Sequence, residues 1–174
     1  MQAVDDLAAA DIIRLLDLKP LPVEGGYFRE TYSADLLLPA SVLPPSIRSE
    51  RPAKSVILYL LTAETQSRLH RLETDEAWHF YLGDGVDLHV FGTGFDYANI
   101  KLGHDLLQGQ TVQTVVPAQS WFGARLQSGE RWALMGCSLA PAYSDEDFSL
   151  PNDAEFGDLL TRFPRQSAVL HELR

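Results

Sequence analysis

The sequence predicts an all-β sandwich or barrel with a short helix at each end. Three observations predict it. Eight short alternating or apolar segments follow one another between residues 55 and 140, turn-forming residues fill the gaps, and no helical periodicity interrupts them. The segments are 55–62, 66–72, 76–82, 86–91, 97–102, 111–116, 120–126 and 131–140. Among the breaks, Gly83-Asp84-Gly85 reads as a hairpin turn, and no helix follows it that would make it a phosphate loop. The chain has 174 residues, which suits one domain with a real core, taken as 1–174.

The flanking elements follow in order. Asp5 or Asp6 can cap a helix over about 5–18, where Leu7, Ala8, Ile12, Leu15 and Leu16 recur near the 3.6-residue period. Pro20 and Pro22 stop it. Next, Gly25-Gly26 permits positive φ ahead of a strand that places Tyr27, Arg29 and Thr31 on one face and Phe28, Glu30 and Tyr32 on the other. With that strand included, the barrel spans about 27–140. Residues 34–54 carry four prolines and read as an irregular excursion, a mobile loop or a flap over a mouth. After Pro141 the chain is irregular and acidic, then forms a helix over about 154–162 with Asp153 as its cap. Residues 165–174 show a weak pattern, suited to packing on a partner chain or to fraying.

Charge and composition exclude whole classes of function. Fourteen basic against twenty-four acidic residues give a formal net charge of −10, which disfavours phosphate backbones and anionic lipid surfaces. No run approaches the roughly 20 apolar residues of a membrane span. The acidic N-terminus lacks the basic start of a signal peptide, so a cytoplasmic protein is expected, with no nucleic-acid or membrane partner. The lone cysteine, Cys137, lies in an apolar strand and reads as a buried small hydrophobe.

Chemistry is expected around residues 69–83. Alternation puts Arg68, His70 and Leu72 on one face of their strand, with Ser67, Leu69 and Arg71 on the other. In the next strand Glu76, Trp78 and Phe80 share a face. If the two strands are neighbours, His70 and Glu76 face one interior. A buried imidazole beside a carboxylate can bind metal, act as an acid–base pair, or simply close a structural hydrogen bond. Trp78, Phe80, Trp121 and Phe122 can line an aromatic pocket or fill the core. His79 falls on the opposite face and suits packing between sheets or a dimer contact. His89 is expected to be exposed, and His104 lies in a loop beside Asp105.

His70, Glu76 and Gly83 resemble the first motif of the cupin superfamily, H-x-H-x(3–4)-E-x(6)-G, with Leu72 in place of its second His. Residues 112–122, centred on Pro117, resemble the second motif, with Gln119 for its Gly and Phe122 for its His. Two of the four expected ligands are thus present. Fewer than three protein ligands make a poor divalent site, so no metal is expected; if any binds, it uses His70 and Glu76.

The segments 22–32, 67–71, 75–80, 116–121 and 136–141 are together similar to the cupin_5 branch, long labelled a domain of unknown function. The resemblance covers nearly the whole chain. It implies a cupin-type double-stranded jelly-roll β-barrel, a homodimer and a pocket in each subunit. It implies no settled reaction.

A more distant similarity links Gly26-Tyr27-Phe28-Arg29-Glu30 and Leu69-His70 to the dTDP-sugar 3,5-epimerases, whose catalytic base would fall at His70. Gly25 stands where their phosphate-binding Arg would be, and Arg29, Arg68 or Arg71 are the candidate substitutes. The expected function is therefore small-molecule binding with isomerase-like proton transfer on a carbohydrate, without metal or cofactor. His70 is the expected base and Glu76 its partner. Glu24, Tyr27, Arg29, Arg68, Trp78, Phe80, Trp121 and Phe122 are the expected substrate contacts. The alternatives are a non-catalytic cupin that binds or senses a small ligand and, third, a metal-dependent cupin enzyme.

Overall fold

The computed structural model describes residues 7–94, 96–127, 129 and 131–174. Its helices are α1 (Ala9–Leu15), α2 (Asp153–Arg162) and α3 (Ser167–Leu173). Its early strands are β1 (Lys19–Pro20), β2 (Tyr27–Ser33), β3 (Leu37–Leu38), β4 (Arg51–Pro52), β5 (Ser55–Thr62) and β6 (Ser67–Leu72). The later ones are β7 (Glu76–Gly83), β8 (Val86–Phe91), β9 (Tyr97–Leu102), β10 (Gln113–Val116), β11 (Trp121–Leu126), β12 (Trp132–Leu139) and β13 (Phe148–Ser149). The predicted strands all form, within a residue or two at their ends. The protein is mostly β.

Two antiparallel sheets face each other, in the orders β1-β2-β5-β12-β7-β10 and β13-β6-β11-β8-β9, and β3 pairs separately with β4. The described residues do not close the sheets into one ladder, so the observed architecture is a pair of facing sheets. Consecutive strands switch sheets from β5 to β8 and again from β9 to β13, so β6 lies in one and β7 in the other. The two strands that carry His70 and Glu76 are therefore opposed across the core and are not neighbours in a ladder. Likewise Gly83-Asp84-Gly85 crosses between sheets and is not a hairpin turn. Gly83 has φ 94°, and a Cβ there would stand 2.4 Å from the Trp132 carbonyl, so only glycine fits. Asp84 fixes the crossing by accepting from the amides of Arg131 (2.8 Å) and Trp132 (3.3 Å).

Side chains from both sheets build the central core, including Tyr59, Leu61, Trp78, Phe80, Leu88, Val90, Phe122, Met135 and Cys137. Helices also cover part of the outer face of each sheet. α1 lays Ile12 over Leu60, Trp132 and Leu134, and the Trp132 indole donates to the Leu7 carbonyl at 2.8 Å. α2 and α3 cover Leu69, Phe91 and Trp121 with Phe156, Leu159, Phe163, Leu170 and Leu173.

Three details correct the expected helices. α1 is shorter than 5–18 and ends before Asp17, which adopts φ 50°. Leu15 is exposed rather than on its packed face. The proposed caps Asp5 and Asp6 lie outside the described residues. Asn152, not Asp153, caps α2 by accepting from the amides of Ala154 and Glu155. Finally, residues 167–173 form a helix, because Leu170 and Leu173 find an apolar seat on the sheet.

The 34–54 excursion is anchored. Arg51, 5% exposed, pairs with the equally buried Asp147 at 3.2 Å and with Glu146 at 3.1 Å. This ties β4 to residues 143–148, which border the site described next.

Candidate functional site

The turn before β2 is built on three left-handed residues: Val23 (φ 71°), Gly25 (φ 106°) and Gly26 (φ 71°). Positive φ is costly for a β-branched residue, roughly 1–3 kcal/mol, and persists only where the surroundings hold it. Here the Gly25 amide donates to the Leu21 carbonyl (3.1 Å), and the Leu21 amide donates to the Gly26 carbonyl (3.0 Å). The Tyr59 hydroxyl donates to the Gly25 carbonyl at 3.0 Å. The result carries Glu24 to the sheets, where its carboxyl accepts from the Ser67 hydroxyl at 2.8 Å.

Glu24 and Glu76 line one cavity of about 90 Å³, together with Leu21, Phe28, Glu30, Ser55, Ile57, Leu72, Leu139 and Tyr143. An outer vestibule of about 460 Å³ shares Leu21, Glu24, Phe28 and Tyr143 with it and adds Asp145 and Phe148. Volumes of roughly 300–1,000 Å³ are usual for small-molecule sites. Neither lining contains Lys, Arg or His.

Glu76 is 7% exposed, and its Oε2 accepts from the Trp78 indole at 2.7 Å. Burial first, then the charge of Glu24, push its carboxyl up to about 8, against the downward pull of hydrogen bonds from Trp78 and the Cys137 thiol. It is therefore mostly a neutral acid at pH 7. Burial, then the charge of Glu76, pushes the Cys137 thiol well up, as suits an inert buried residue. Burial likewise raises the Tyr143 phenol, helped by Asp145 beside it.

His70 has a different setting. It is 1% exposed and packs against Phe122 (4.1 Å between ring centres) and Phe148 (5.2 Å). Its Nδ1 lies 2.6 Å from the Arg68 carbonyl and so donates to it. Among the described residues no hydrogen bond or ion pair joins His70 to Glu76. The rings of Phe122 and Trp78, edge-on at 6.5 Å, stand in the core between their strands. The expected His–Glu partnership is thus not formed, because the strands lie in opposite sheets and aromatic rings fill the gap.

The other expected contacts divide sharply. Glu24 lines the cavity. Tyr27 and Arg29 point to the outer face: Tyr27 packs under α1, and Arg29 is exposed on the side of Asp17. Arg68 gives its guanidinium to backbone carbonyls. Trp78, Phe80 and Phe122 fill the core, and Trp121 lies on the outside beneath Arg71, 4.6 Å from its guanidinium. His79 is on the outer face with Ser138 (3.3 Å) rather than between the sheets. His89 is buried against the Tyr97 hydroxyl (2.8 Å) rather than exposed, and His104 packs edge-on to Phe80.

Sequence reasoning passed over Phe28, Glu30, Ser55 and Tyr143 as site residues. The alternation of β2 did separate Phe28 and Glu30 from Tyr27 and Arg29. What decides between the faces is α1, which claims the Tyr27 side. Tyr143 lies in a segment with no periodicity to read.

A family model described as Cupin superfamily (DUF985), Cupin_5, matches residues 10–151. The chain is a Cupin_5 protein. It is 30% identical to a crystallised Shewanella oneidensis protein, covering 96% of this chain and 97% of that one, with a TM-score of 0.80. A hypothetical protein from Leishmania major is 27% identical over 96% of this chain and 98% of its own, with a TM-score of 0.82. A cupin-2 domain from Rhodospirillum rubrum, 13% identical and covering 90% and 89%, shares the fold with a TM-score of 0.58. No curated protein matches.

Cupins as a superfamily imply a metal, and the donor set of this Cupin_5 protein does not fit one. Of the four motif positions, Leu72 and Phe122 offer carbon, and His70 and Glu76 engage separate partners. Among the described residues no three His, Cys, Asp or Glu side chains converge. No helix of the described residues is long and apolar enough to cross a membrane.

Proposed function

We propose that this Cupin_5 protein binds a small, uncharged, hydroxylated carbonyl compound of sugar type and moves a proton on it between Glu24 and Glu76. The observation that carries the reading is that two carboxyls face one cavity in unequal settings. Glu76 is buried and held protonated, while Glu24 is anchored by Ser67 at the entrance. An acid held protonated that faces a second carboxyl across one cavity can supply a proton donor beside a proton acceptor. In the step, the Glu24 carboxylate takes the proton from the carbon next to the carbonyl. That C–H pair becomes the C=C bond, and the Glu76 acid protonates the carbonyl oxygen. Return of the Glu24 proton to the former carbonyl carbon, while the Glu76 carboxylate takes the proton of the neighbouring hydroxyl, completes isomerisation.

Ligand charge follows from the lining. With Glu24, Glu30 and Asp145 around the cavity and vestibule and no cation among the lining residues, a phosphate or nucleotide-diphosphate group finds repulsion. This separates the ligand from the nucleotide sugars of the epimerases. His70, whose Nε2 has no hydrogen-bond partner among the described residues, is the alternative base. A carrier or sensor that binds the same ligand without chemistry is the alternative from another class. A homodimer belongs to the same reading and accords with Tyr32, Tyr81 and Val115, exposed on the six-stranded sheet; sedimentation tests it.

The test is a thermal-shift panel of neutral sugars and polyols against sugar phosphates and nucleotide sugars, followed by solvent-deuterium exchange into any hit. Neutral members should stabilise the fold, by about 2.7 kcal/mol at a hundredfold excess over Kd. Exchange lost in Glu76→Gln and Glu24→Gln but kept in His70→Ala supports the carboxyl pair. The reverse pattern moves the base to His70, and binding without exchange makes the protein a carrier. Stabilisation by nucleotide sugars alone overturns the ligand class.

A further inference from the structure

Strand β6 does not run regularly against β11. Phe122 pairs with His70 and Ala124 with Ser67, so Arg68 and Leu69 together oppose the single residue Gly123. This is a β-bulge, and it turns Ser67 and His70 to the same inner face that strict alternation would have divided between them. A bulge takes backbone groups out of the ladder, and both of those of Arg68 find partners close by. Its amide donates to the Glu24 carbonyl at 2.9 Å, and its carbonyl accepts from His70 Nδ1 at 2.6 Å.

The side chain of Arg68 extends the same contact. Nη1 donates to the Val23 carbonyl at 3.3 Å, while Nε and Nη2 both donate to the Arg174 carbonyl, at 2.9 and 2.5 Å. Its neighbours complete the clamp. Ser67 holds the Glu24 carboxyl, and the Gln66 side-chain Nε2 donates to the Glu172 carbonyl at 2.7 Å. The Gln66 carbonyl lies so near Gly25 that a Cβ there would stand 2.3 Å from it. The strained turn at residues 23–26 is thereby held against β6 from one side, while the end of α3 is held from the other.

We propose that Arg68 is a positioning residue for Glu24: it fixes the strained turn that presents this carboxyl to the cavity and fastens that turn to α3. Arg68 lines neither the cavity nor the vestibule, so it acts through Glu24 and not on the ligand. The planar fork of arginine serves two carbonyls at once, which a single ammonium does less well. The inference rests on the assignment of Glu24 and Glu76 as the reacting pair.

The experiment follows the Glu76 carboxyl by ¹³C NMR titration in the wild type, Glu24→Gln, Arg68→Met and the double variant. Unfolding midpoints are taken alongside. Removing the Arg68 charge by itself would raise the Glu76 midpoint, whereas releasing Glu24 lowers it, so the sign separates the two effects. Arg68→Met should lower the midpoint by at least half as much as Glu24→Gln does, and should add nothing in the Glu24→Gln background. Arg68→Lys keeps the charge and the bulge amide, and should give a smaller fall of the same sign; it carries the test alone if the Met variant does not fold. A Glu76 midpoint moved by Glu24→Gln but unmoved in folded Arg68→Met and Arg68→Lys overturns the role of Arg68. A midpoint that Glu24→Gln leaves in place overturns the carboxyl pair, and the Arg68 inference with it.

Discussion

His70 and Glu76 are buried in the same inter-sheet core, yet of the two it is Glu76 that lines the cavity shared with Glu24. His70 lies between Phe122 and Phe148, with its Nδ1 spent on the carbonyl of a bulge in its own strand. Glu76 has the Trp78 indole behind it and, in front, a cavity that it shares with Glu24. The two residues occupy cupin motif positions, so a motif alone suggests one joint site. The difference teaches that the neighbours at the other two positions decide the outcome. Leu72 and Phe122 place carbon where convergent ligands would be needed, and the polar chemistry gathers on the β2–β5–β7 side of the core.

The largest expected effect concerns pH. Between its ordinary 4.5 and about 8, folded Glu76 keeps a proton that the unfolded chain has released. Stability therefore falls as pH rises through this window and levels off above it, by roughly 5 kcal/mol at most. Glu76→Gln is neutral throughout and still accepts from Trp78, so it should lack this fall and exceed the wild type in stability above pH 8. Urea unfolding at five pH values checks this. Parallel curves for the two proteins would erase the contrast between Glu76 and an ordinary carboxyl.

Next in size is the clamp that holds the segment bordering the cavity. Arg51→Met leaves Asp147 buried without its cation and should cost about 3–5 kcal/mol. The exposed Arg14–Asp11 pair is the control, and Arg14→Ala should change stability by less than about 0.5 kcal/mol. Equal losses in urea unfolding would mean that the vestibule segment needs no anchor.

Sequence patterning was a good guide to strands and a partial guide to the site, for physical reasons. Alternation and turn residues are local, so every segment of the β region from 55 to 140 could be read directly. Sheet membership is not local: nothing between Leu72 and Glu76 announces that the chain crosses from one sheet to the other. Bulges are no more visible. Thr31, Arg68-Leu69 and Tyr81 each shift the register, and the shift at Arg68 determines that Ser67 faces inward. Glu24 and Glu76 could be named because acids in apolar or glycine-rich surroundings stand out. Arg29 and Tyr27 lie on the face of β2 away from the cavity because that face is settled by a helix some 15 residues earlier in the chain.

Two smaller effects sharpen the comparison. Glu24→Gln should weaken the fall in stability between pH 5 and 8 without abolishing it, by on the order of 1 kcal/mol, since burial is the larger cause at Glu76. Val23→Gly should relieve the left-handed backbone and raise stability by about 1 kcal/mol, as a thermal melt would show. A loss there would mean that the turn is not strained.

Burial beside Glu24 holds Glu76 as a neutral acid at physiological pH. A ¹³C titration of the Glu76 carboxyl in the folded protein tests it most directly. The expected midpoint is near 8 and drops when Glu24 becomes Gln. A midpoint near 4.5, unchanged by that substitution, would contradict it.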